Sequence, residues 1–216
     1  MIALCPEHHR KADAGAYTKA QIREFKNNAI AHSKEIIGRF DWLRNDLLVI
    51  IGGFFYYKKP QDHPLALTIQ DQPVVWFNRD EDYLLLNLKM YTTSNEERAC
   101  IKDNFWIAKG CPTDLESPPS GKLLCLKYSN GDYLRVEYGE LNSLEEAAKR
   151  YPHATPHKWE MNLPITVVEI YFRVGGTSFD FRPTQTIIPQ GKIRNVFFSG
   201  KGSQGFSVSD RSMSFT

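Results

Sequence analysis

From residue 46 onward the chain is dominated by short runs of apolar, β-branched and aromatic residues, separated by turn-forming residues such as those at 130–132. Runs of this composition predict β-strands. The predicted strands lie at residues 48–57, 65–69, 74–77, 83–90, 104–108, 123–128, 133–138, 166–174, 187–188 and 193–198. The helical patterns between them are too few for a parallel sheet with regular helical crossovers. We therefore expect residues 46–216 to form a sandwich, a barrel or a β-solenoid-like domain.

Helical spacing of apolar residues occurs mainly near the N-terminus, where the recurring residues are Ile22, Phe25, Ala29 and Ile30. This pattern predicts a helix over residues 19–37, with Thr18 as its N-cap and Gly38 near its end. A shorter helix is predicted over residues 143–151, because that stretch opens with a capping-box sequence and is followed by Pro152. The fold class expected is mainly β with a short α-helical N-terminal segment, an α+β protein.

The charge balance changes near residue 45. Residues 1–45 contain eight Lys or Arg against five Asp or Glu, a net charge of +3, whereas the whole chain carries +2. The remainder therefore carries −1, and the change predicts two domains, residues 1–45 and residues 46–216. A nearly neutral chain is not a globally basic nucleic-acid binder, so any DNA-binding surface has to be local.

Composition indicates an ordinary globular protein, with 42% hydrophobic residues in 216 and a mean hydropathy of −0.42. The longest apolar run, residues 47–57, is about half of the ~20 residues that a membrane-spanning helix needs. The N-terminus lacks the pattern of a secretory leader, and four cysteines are too sparse for a disulfide framework. We expect reduced thiols, a cytoplasmic location and no membrane partner.

The residues with distinctive chemistry lie in the opening run Ile2-Ala-Leu-Cys5-Pro-Glu-His8-His9-Arg10-Lys11-Ala-Asp13. Cys5 and His8 are three residues apart and can supply two of the four ligands of a tetrahedral zinc. His9 points in a different direction from His8 on any turn or helix, so it could face a reaction centre instead. On spacing alone, such a run is more often accidental than metal-binding. Arg10 and Lys11 fit a solvated surface as well as a phosphate contact.

The run IALCPEHHRKADAG resembles the second half of the HNH endonuclease motif, of the ββα-metal or His-Me finger class. The resemblance implies that Cys5 and His8 are the second ligand pair of a structural zinc. It implies that His9 is the catalytic residue that ligates a divalent metal such as magnesium. Arg10 and Lys11 would then lie beside the DNA backbone, and YTKAQIREFK resembles the helical tail that follows such motifs.

The general-base histidine, the middle asparagine and the first zinc-ligand pair of that motif are not found in this sequence. Hydrolysis of a phosphodiester by a single metal needs an activated water as well as the cation, and His9 cannot supply both. The zinc site is therefore expected to be incomplete in this chain. We expect a truncated or incomplete HNH endonuclease-family protein that does not cleave DNA by itself.

Residues 70–110 resemble β domains that are appended to bacterial HNH proteins, and this resemblance implies no catalytic role. In the first hypothesis the β-rich domain oligomerises, positions or regulates a metal-dependent DNA-cleaving head. In the alternative, the chain is a non-enzymatic β-rich module that binds a ligand or a protein and carries a relic metal finger. Exposed β edges and aromatic strands favour a homo-oligomer.

Overall fold

The computed structural model of the chain describes residues 10, 13–32, 35–59, 62, 64–92, 94, 96–152, 162–174, 179–188, 191–198, 206–208 and 213–215. Its helices are α1 (Lys19–His32) and α2 (Leu144–Arg150). Its strands are β1 (Glu35–Arg39), β2 (Leu47–Ile51), β3 (Phe54–Lys58), β4 (Leu65–Ile69), β5 (Gln72–Asp80), β6 (Tyr83–Tyr91), β7 (Glu97–Lys102), β8 (Phe105–Lys109), β9 (Asp114–Glu116), β10 (Leu123–Lys127), β11 (Tyr133–Leu141), β12 (Ile165–Arg173), β13 (Asp180–Arg182), β14 (Gln185–Ile188), β15 (Gly191–Ile193), β16 (Val196–Phe198), β17 (Phe206–Val208) and β18 (Met213–Phe215).

The strands form two mixed sheets. Sheet A has the order β1-β8-β7-β6-β5-β4-β17-β18. Sheet B follows the path β15-β14-β13-β12-β11-β10-β9, and β2, β3 and β16 join it because β2 pairs in parallel with β12. Two strands therefore pair with the same edge of β12. Strand β2 pairs with residues 166–170, and β13 pairs with Phe172 and Arg173. The expected fold class, mainly β with a short N-terminal helix, is confirmed.

The two sheets pack against each other through one apolar cluster. Alternate residues of β6 in sheet A, such as Leu86 and Leu88, belong to the same cluster as Val136 of β11 and Ile170 of β12 in sheet B. Each of these side chains is fully buried, which stabilises the fold by about 1.5–3 kcal/mol per side chain relative to exposure in water. Among the three expected arrangements, the described strands form a sandwich of two sheets and do not close into a barrel.

The single strand predicted over residues 48–57 is wrong, because the chain turns back at Gly52 and Gly53 to form the β2–β3 hairpin. Gly52 has a positive φ of 56°, which the first position of such a two-residue turn requires. A Cβ on Gly52 would lie 2.3 Å from Thr186 Oγ1, and one on Gly53 would lie 2.3 Å from the carbonyl oxygen of Ile193. The turn therefore packs its bare backbone against β14 and β15.

Helix α1 begins where the sequence predicts. The N–H of Gln21 donates to Thr18 Oγ1 at 3.2 Å, and the N–H of Thr18 donates to Gln21 Oε1 at 2.9 Å, which makes Thr18 the N-cap of a capping box. The predicted end near Gly38 is wrong, because the helix stops at His32. The start of the helix follows from capping residues close together in the sequence, whereas the predicted last residues of the helix belong to strand β1.

That strand is β1, which pairs antiparallel with β8 at the edge of sheet A. Gly38 lies opposite Trp106, and a Cβ on Gly38 would be 2.2 Å from the indole ring, so the ring covers the bare glycine. Phe40 and Trp42 are buried in the cluster between the sheets. The β-rich unit therefore begins before residue 46, the boundary that the charge balance predicts, because β1 and these two side chains already belong to it.

Candidate functional site

The predicted metal finger falls almost entirely outside the described residues, which exclude Cys5, His8, His9 and Lys11. Arg10 is described and exposed, and its carbonyl oxygen accepts a hydrogen bond from the N–H of Ala14 at 3.0 Å. In the part of the chain that the structure covers, no three His, Cys, Asp or Glu side chains are grouped as a metal site. Zinc and magnesium therefore stay predictions from the sequence.

A cavity of about 190 Å³ opens on the face of sheet B that is turned away from sheet A. Its lining includes Phe55, Arg150, Tyr151, Glu169, Tyr171 and Thr184. These residues come from β3, from the end of α2, from β12 and from the turn between β13 and β14. An apolar recess in which a few polar groups converge is the usual form of a small-molecule site.

Strand β12 supplies the floor of this cavity because its side chains alternate between two buried faces. Val168 and Ile170 point into the cluster between the sheets, whereas Val167 and Tyr171 belong to a second apolar cluster on the opposite face. Glu169 shares that second face and is only 8% exposed. A carboxylate in this position has to be compensated by donors, since its burial is otherwise very costly.

Helix α2 brings two of those donors to the carboxylate. Its N-cap is Ser143, whose Oγ accepts from the N–H of Glu146 at 3.1 Å, as the predicted helix over residues 143–151 requires. At its other end the N–H of Tyr151 donates to the carbonyl oxygen of Ala147 at 2.8 Å. These bonds define both ends of the helix, and its buried residue Ala147 packs in the second apolar cluster, which places Arg150 and Tyr151 over Glu169.

The carboxylate of Glu169 accepts three side-chain hydrogen bonds. Tyr171 donates its hydroxyl to Oε2 at 2.8 Å, Arg150 donates Nη2 to Oε1 at 2.9 Å, and Tyr151 donates its hydroxyl to Oε1. Charge-assisted bonds of this kind are roughly twice as strong as neutral ones. The negative charge is thus held in one place and neutralised by the guanidinium of Arg150.

Glu169 also has a carboxylate as its direct cross-strand neighbour, Glu137 of β11. Like charges directly opposite each other destabilise a sheet. Arg135 Nη2 lies 2.6 Å from Glu137 Oε2, and Arg150 pairs with Glu169, so each carboxylate has its own guanidinium. Gly139 leaves the space that Arg150 needs, because a Cβ there would be 3.2 Å from Nη1.

The two tyrosines are hydrogen-bond donors to Glu169 and not bases. Burial, followed by the negative charge of Glu169, raises the pKa of Tyr151 and of Tyr171 far above their ordinary value. Both hydroxyls therefore stay protonated at every physiological pH. Phe55 packs edge-on against Tyr151, with ring centroids 5.6 Å apart. The site has aromatic walls and a fixed polar floor, an arrangement suited to binding a small molecule.

None of the sequence predictions included this site. The available signal is the run ITVVEIYF, in which Glu169 is the one charged residue and every other residue is β-branched or aromatic. A charge in such a run is expected to be paired, because unpaired carboxylates are almost never fully buried. The partners could not be found in the same way, since Arg150 and Tyr151 are eighteen or more positions away in the sequence.

Comparison of the chain with protein-family models, with curated proteins and with solved structures finds no match in any of the three. Neither the HNH resemblance nor the cavity therefore has a relative to support it. Among the helices that the structure describes, none has the length and apolar character needed to cross a membrane.

Proposed function

We propose that this chain is an HNH endonuclease-family polypeptide whose β-rich unit positions, oligomerises or regulates a metal-binding, DNA-contacting N-terminal segment. The observation that carries the proposal is the run Cys5-Pro-Glu-His8-His9-Arg10-Lys11, followed by a capped helix. In this proposal Cys5 and His8 hold zinc, and His9 holds a divalent cation beside the phosphate. Arg10 and Lys11 contact the DNA backbone.

The contact between α1 and sheet B supports a positioning role for the β-rich unit. Lys26 Nζ of α1 lies 2.5 Å from Asp114 Oδ1 of β9 and donates a hydrogen bond to it. This bond, together with the nearby charge of Lys127, holds the pKa of the Asp114 carboxyl below its usual range. The helix that follows the metal-binding run is thus attached to an edge of the sandwich.

A cytoplasmic location also belongs to this proposal. Cys100 and Cys125 are present as thiols. Burial raises the pKa of both, so neither is an activated thiolate. Reduced cysteines of this kind fit a reducing compartment.

Metal content and DNA binding test the proposal. On titration with zinc, the protein should bind the ion through Cys5 and His8 more weakly than a complete four-ligand site does. Cys5→Ser or His8→Ala should abolish this binding, whereas the matched control Cys111→Ser should retain it. Arg10→Glu with Lys11→Glu should weaken the binding of a labelled DNA duplex about tenfold, because two phosphate contacts are lost. Lys192→Glu with Arg194→Glu, two exposed changes at β15, is the control for the same change in net charge. We expect no DNA cleavage by these 216 residues alone, because the general-base half of the HNH motif is not found in their sequence.

Three outcomes would overturn this proposal: a protein that binds no zinc on titration, zinc binding that does not depend on Cys5 and His8, or an equal effect of the N-terminal and β15 charge changes on DNA binding. Nicking of plasmid DNA that EDTA abolishes would leave the family assignment intact. It would overturn the incompleteness of the metal site.

The second candidate function is ligand binding by the β-rich unit, and the cavity over Glu169 is the observation that favours it. A cavity of about 150 Å³ takes up benzene in another protein, so about 190 Å³ leaves room for a small ring with polar substituents. The aromatic walls favour a planar molecule, and the exposed side of Arg150 offers donors to it. We propose small planar heteroaromatic molecules of nucleobase size as its ligands.

Ligand-observed NMR with adenine, guanine, cytosine and uracil as probes tests this second proposal. At least one probe should bind the native protein and lose binding in Thr184→Trp, which fills the mouth of the cavity. Thr113→Trp is an exposed change next to β9 at the end of sheet B, and this variant should bind the probes like the native protein. The proposal would be contradicted if none of the four probes bound, or if Thr184→Trp and Thr113→Trp bound them equally well.

A further inference from the structure

The face of sheet A that is turned away from sheet B carries aromatic side chains that water can reach. Side chains of a strand alternate between its two faces. Trp106 of β8 belongs to the cluster between the sheets, so its neighbour Phe105 points to the outer face. Phe77 of β5 belongs to the same cluster, so Trp76 also points outward. Phe105 is 51% exposed, and Trp76 is half-buried.

The same alternation places three cationic side chains on this outer face, because a neighbour of each one in the sequence belongs to the cluster between the sheets. They are Arg39 of β1, Lys89 of β6 and Lys102 of β7. The guanidinium carbon of Arg39 lies 5.4 Å from the centroid of the Phe105 ring, and Nζ of Lys89 lies 5.8 Å from that of Trp76. Both rings therefore have a cation beside them.

The strand register sets these residues in one row across the sheet. Phe105 lies between Arg39 and Lys102, its cross-strand partners on β1 and β7. The β6–β7 register, continued by one residue, places Asn87 opposite Lys102, and Asn87 in turn lies opposite Trp76. Phe105 and Trp76 are thus three strand spacings apart, about 14 Å. A single ligand that contacts both rings has to be an extended chain.

Two carboxylates contact residues of this row in the described part of the chain, and both are engaged there. Asp41 Oδ1 lies 2.5 Å from Nε of Arg39. Asp103 Oδ1 accepts hydrogen bonds from the side-chain amides of Asn78 at 2.7 Å and Asn87 at 3.3 Å. Three cations against two carboxylates leave a positive excess of one. The row is therefore complementary to an anionic chain, and salt should screen this attraction.

A second group of charges fixes the direction of such a chain. Lys109 Nζ lies 2.9 Å from Glu97 Oε1 and 3.6 Å from Glu35 Oε1, so this group has a net charge of −1. Lys109 is four residues from Phe105 along β8, a distance of about 13 Å. The group repels an anionic chain that runs along the strands. The row across the strands is the direction that the charges favour.

Single-stranded DNA has the shape and the charge that this row requires. Its bases stack on aromatic side chains, and the phosphates of its extended backbone bind cations. In a duplex the faces of the bases are already stacked on one another, so they are not free to cover Phe105 or Trp76. Helix α1 ends at His32 and β1 begins at Glu35, so the segment proposed to contact DNA leads into the strand that carries Arg39.

We propose that the outer face of sheet A binds single-stranded DNA along this row. Bases stack on Phe105 and Trp76, and phosphates bind Arg39, Lys102 and Lys89. The choice of DNA as the nucleic acid rests on the DNA-contacting role proposed for the N-terminal segment. The binding itself needs no metal, and it is separate from the cavity on sheet B, which has room for one small molecule.

Fluorescence anisotropy with a labelled oligothymidylate of about twelve nucleotides tests the stacking, with the full chain in EDTA at low salt. The native protein should bind this probe. Phe105→Leu keeps an apolar side chain but removes the ring, so it should weaken binding at least about fivefold. Phe105→Tyr keeps a ring and should bind like the native protein. Leu144→Ala, a change at an exposed apolar position on α2, is the control and should also bind normally.

The salt dependence of binding tests the phosphate contacts. Lys102→Gln should reduce the slope of log affinity against log salt concentration by about 0.7, because each phosphate contact releases counterions from a single strand. Lys192→Gln, an exposed change on β15 of sheet B, removes the same charge and should leave the slope unchanged. An equal slope in the two variants would contradict a phosphate contact at Lys102.

Further probes separate this proposal from the other two. The duplex of the same probe with oligoadenylate should bind Phe105→Leu and the native protein alike. Thr184→Trp, which fills the cavity on sheet B, should leave oligothymidylate binding unchanged. The proposal would be overturned if oligothymidylate did not bind at low salt, if Phe105→Leu and Phe105→Tyr bound it equally, or if oligouridylate bound more tightly. Loss of zinc or duplex binding alone would leave it standing.

Discussion

Two buried charges in sheet B are accommodated in opposite ways. Glu169 lies on the outer face of β12, where two tyrosines and an arginine donate to it. Lys58 ends β3 on the side of the apolar cluster between the sheets and is 1% exposed. Its Nζ donates to the carbonyl oxygen of Leu65 at 3.0 Å, which links sheet B to β4 of sheet A.

The difference lies in what surrounds each charge. Burial lowers the pKa of Lys58 to about 8, although the nearby carboxylate of Asp62 acts in the opposite direction. Desolvation therefore outweighs attraction at Lys58, whereas Glu169 has a guanidinium and two hydroxyls within hydrogen-bond reach. A buried charge stabilises the fold where hydrogen bonds and opposite charges outweigh the cost of its burial, and it lowers stability where that cost is larger.

The largest loss of stability is expected for Glu169→Ala. The change leaves the guanidinium of Arg150 and two buried hydroxyls without their acceptor, so the free energy of unfolding should fall by about 3–5 kcal/mol. Urea denaturation followed by circular dichroism measures it. Glu140→Ala, which removes an exposed partner of Arg44, should cost no more than about 1 kcal/mol. Equal losses in the two variants would mean that the Glu169 network is not an anchor.

Lys58→Met should have the opposite sign and raise the free energy of unfolding at pH 7. The folded pKa of about 8 lies below the ordinary 10.5, so burying the charged amine costs roughly 3 kcal/mol below pH 8. The lost hydrogen bond to Leu65 offsets about 1 kcal/mol of the gain. A net increase of about 2 kcal/mol is expected from urea denaturation at pH 7.

The pH dependence of this variant supplies the control. Between pH 8 and 10.5, Lys58 of the unmutated protein binds more protons in the unfolded state than in the folded state. The stability of the unmutated protein therefore rises with pH over this range. The advantage of Lys58→Met should therefore shrink over that window. An advantage that stays constant from pH 7 to 10.5 would show that its origin is packing and not charge.

Tyr171→Phe should have a smaller effect than either change, a loss of about 1–2 kcal/mol, because Glu169 keeps its other two donors. Tyr57→Phe is the matched control, since its hydroxyl donates to the part-buried Asp46 at the longer distance of 3.2 Å. Thermal unfolding of the two variants should rank Tyr171→Phe as the less stable. The reverse order would mean that the hydrogen bond from Tyr171 to Glu169 stabilises the fold less than the bond from Tyr57 to Asp46 does.

Asp62→Asn should have the smallest effect, a shift in the pKa of Lys58. Removing the nearby negative charge should lower the pKa of Lys58 further, because the Asp62 carboxylate favours the charged amine. NMR titration of the lysine side chains measures the direction. An unchanged or higher pKa would mean that another group compensates the charge of Lys58.

Much of the secondary structure was predictable because it depends on residues close together in the sequence. The capping side chains of Thr18 and Ser143 fix the starts of α1 and α2. The β-branched and aromatic run at 165–173 is a strand in any context that buries it. Predictions failed where a distant partner decides, as at β1, whose strand conformation depends on β8 and on Trp106 covering Gly38.

The sequence alone determined the mainly β class, the capped helix starts and an N-terminal run with metal-ligand spacing, because these properties follow from local composition and periodicity. Only the tertiary structure decided that β12 is buried on both faces and that α2 lies over it. The partners of Glu169 are separated from it by up to nineteen positions, and chain folding alone brings them within hydrogen-bond distance. Hydrogen bonds between distant residues leave no periodic trace in a sequence, so the cavity appears only once the sheets are assembled.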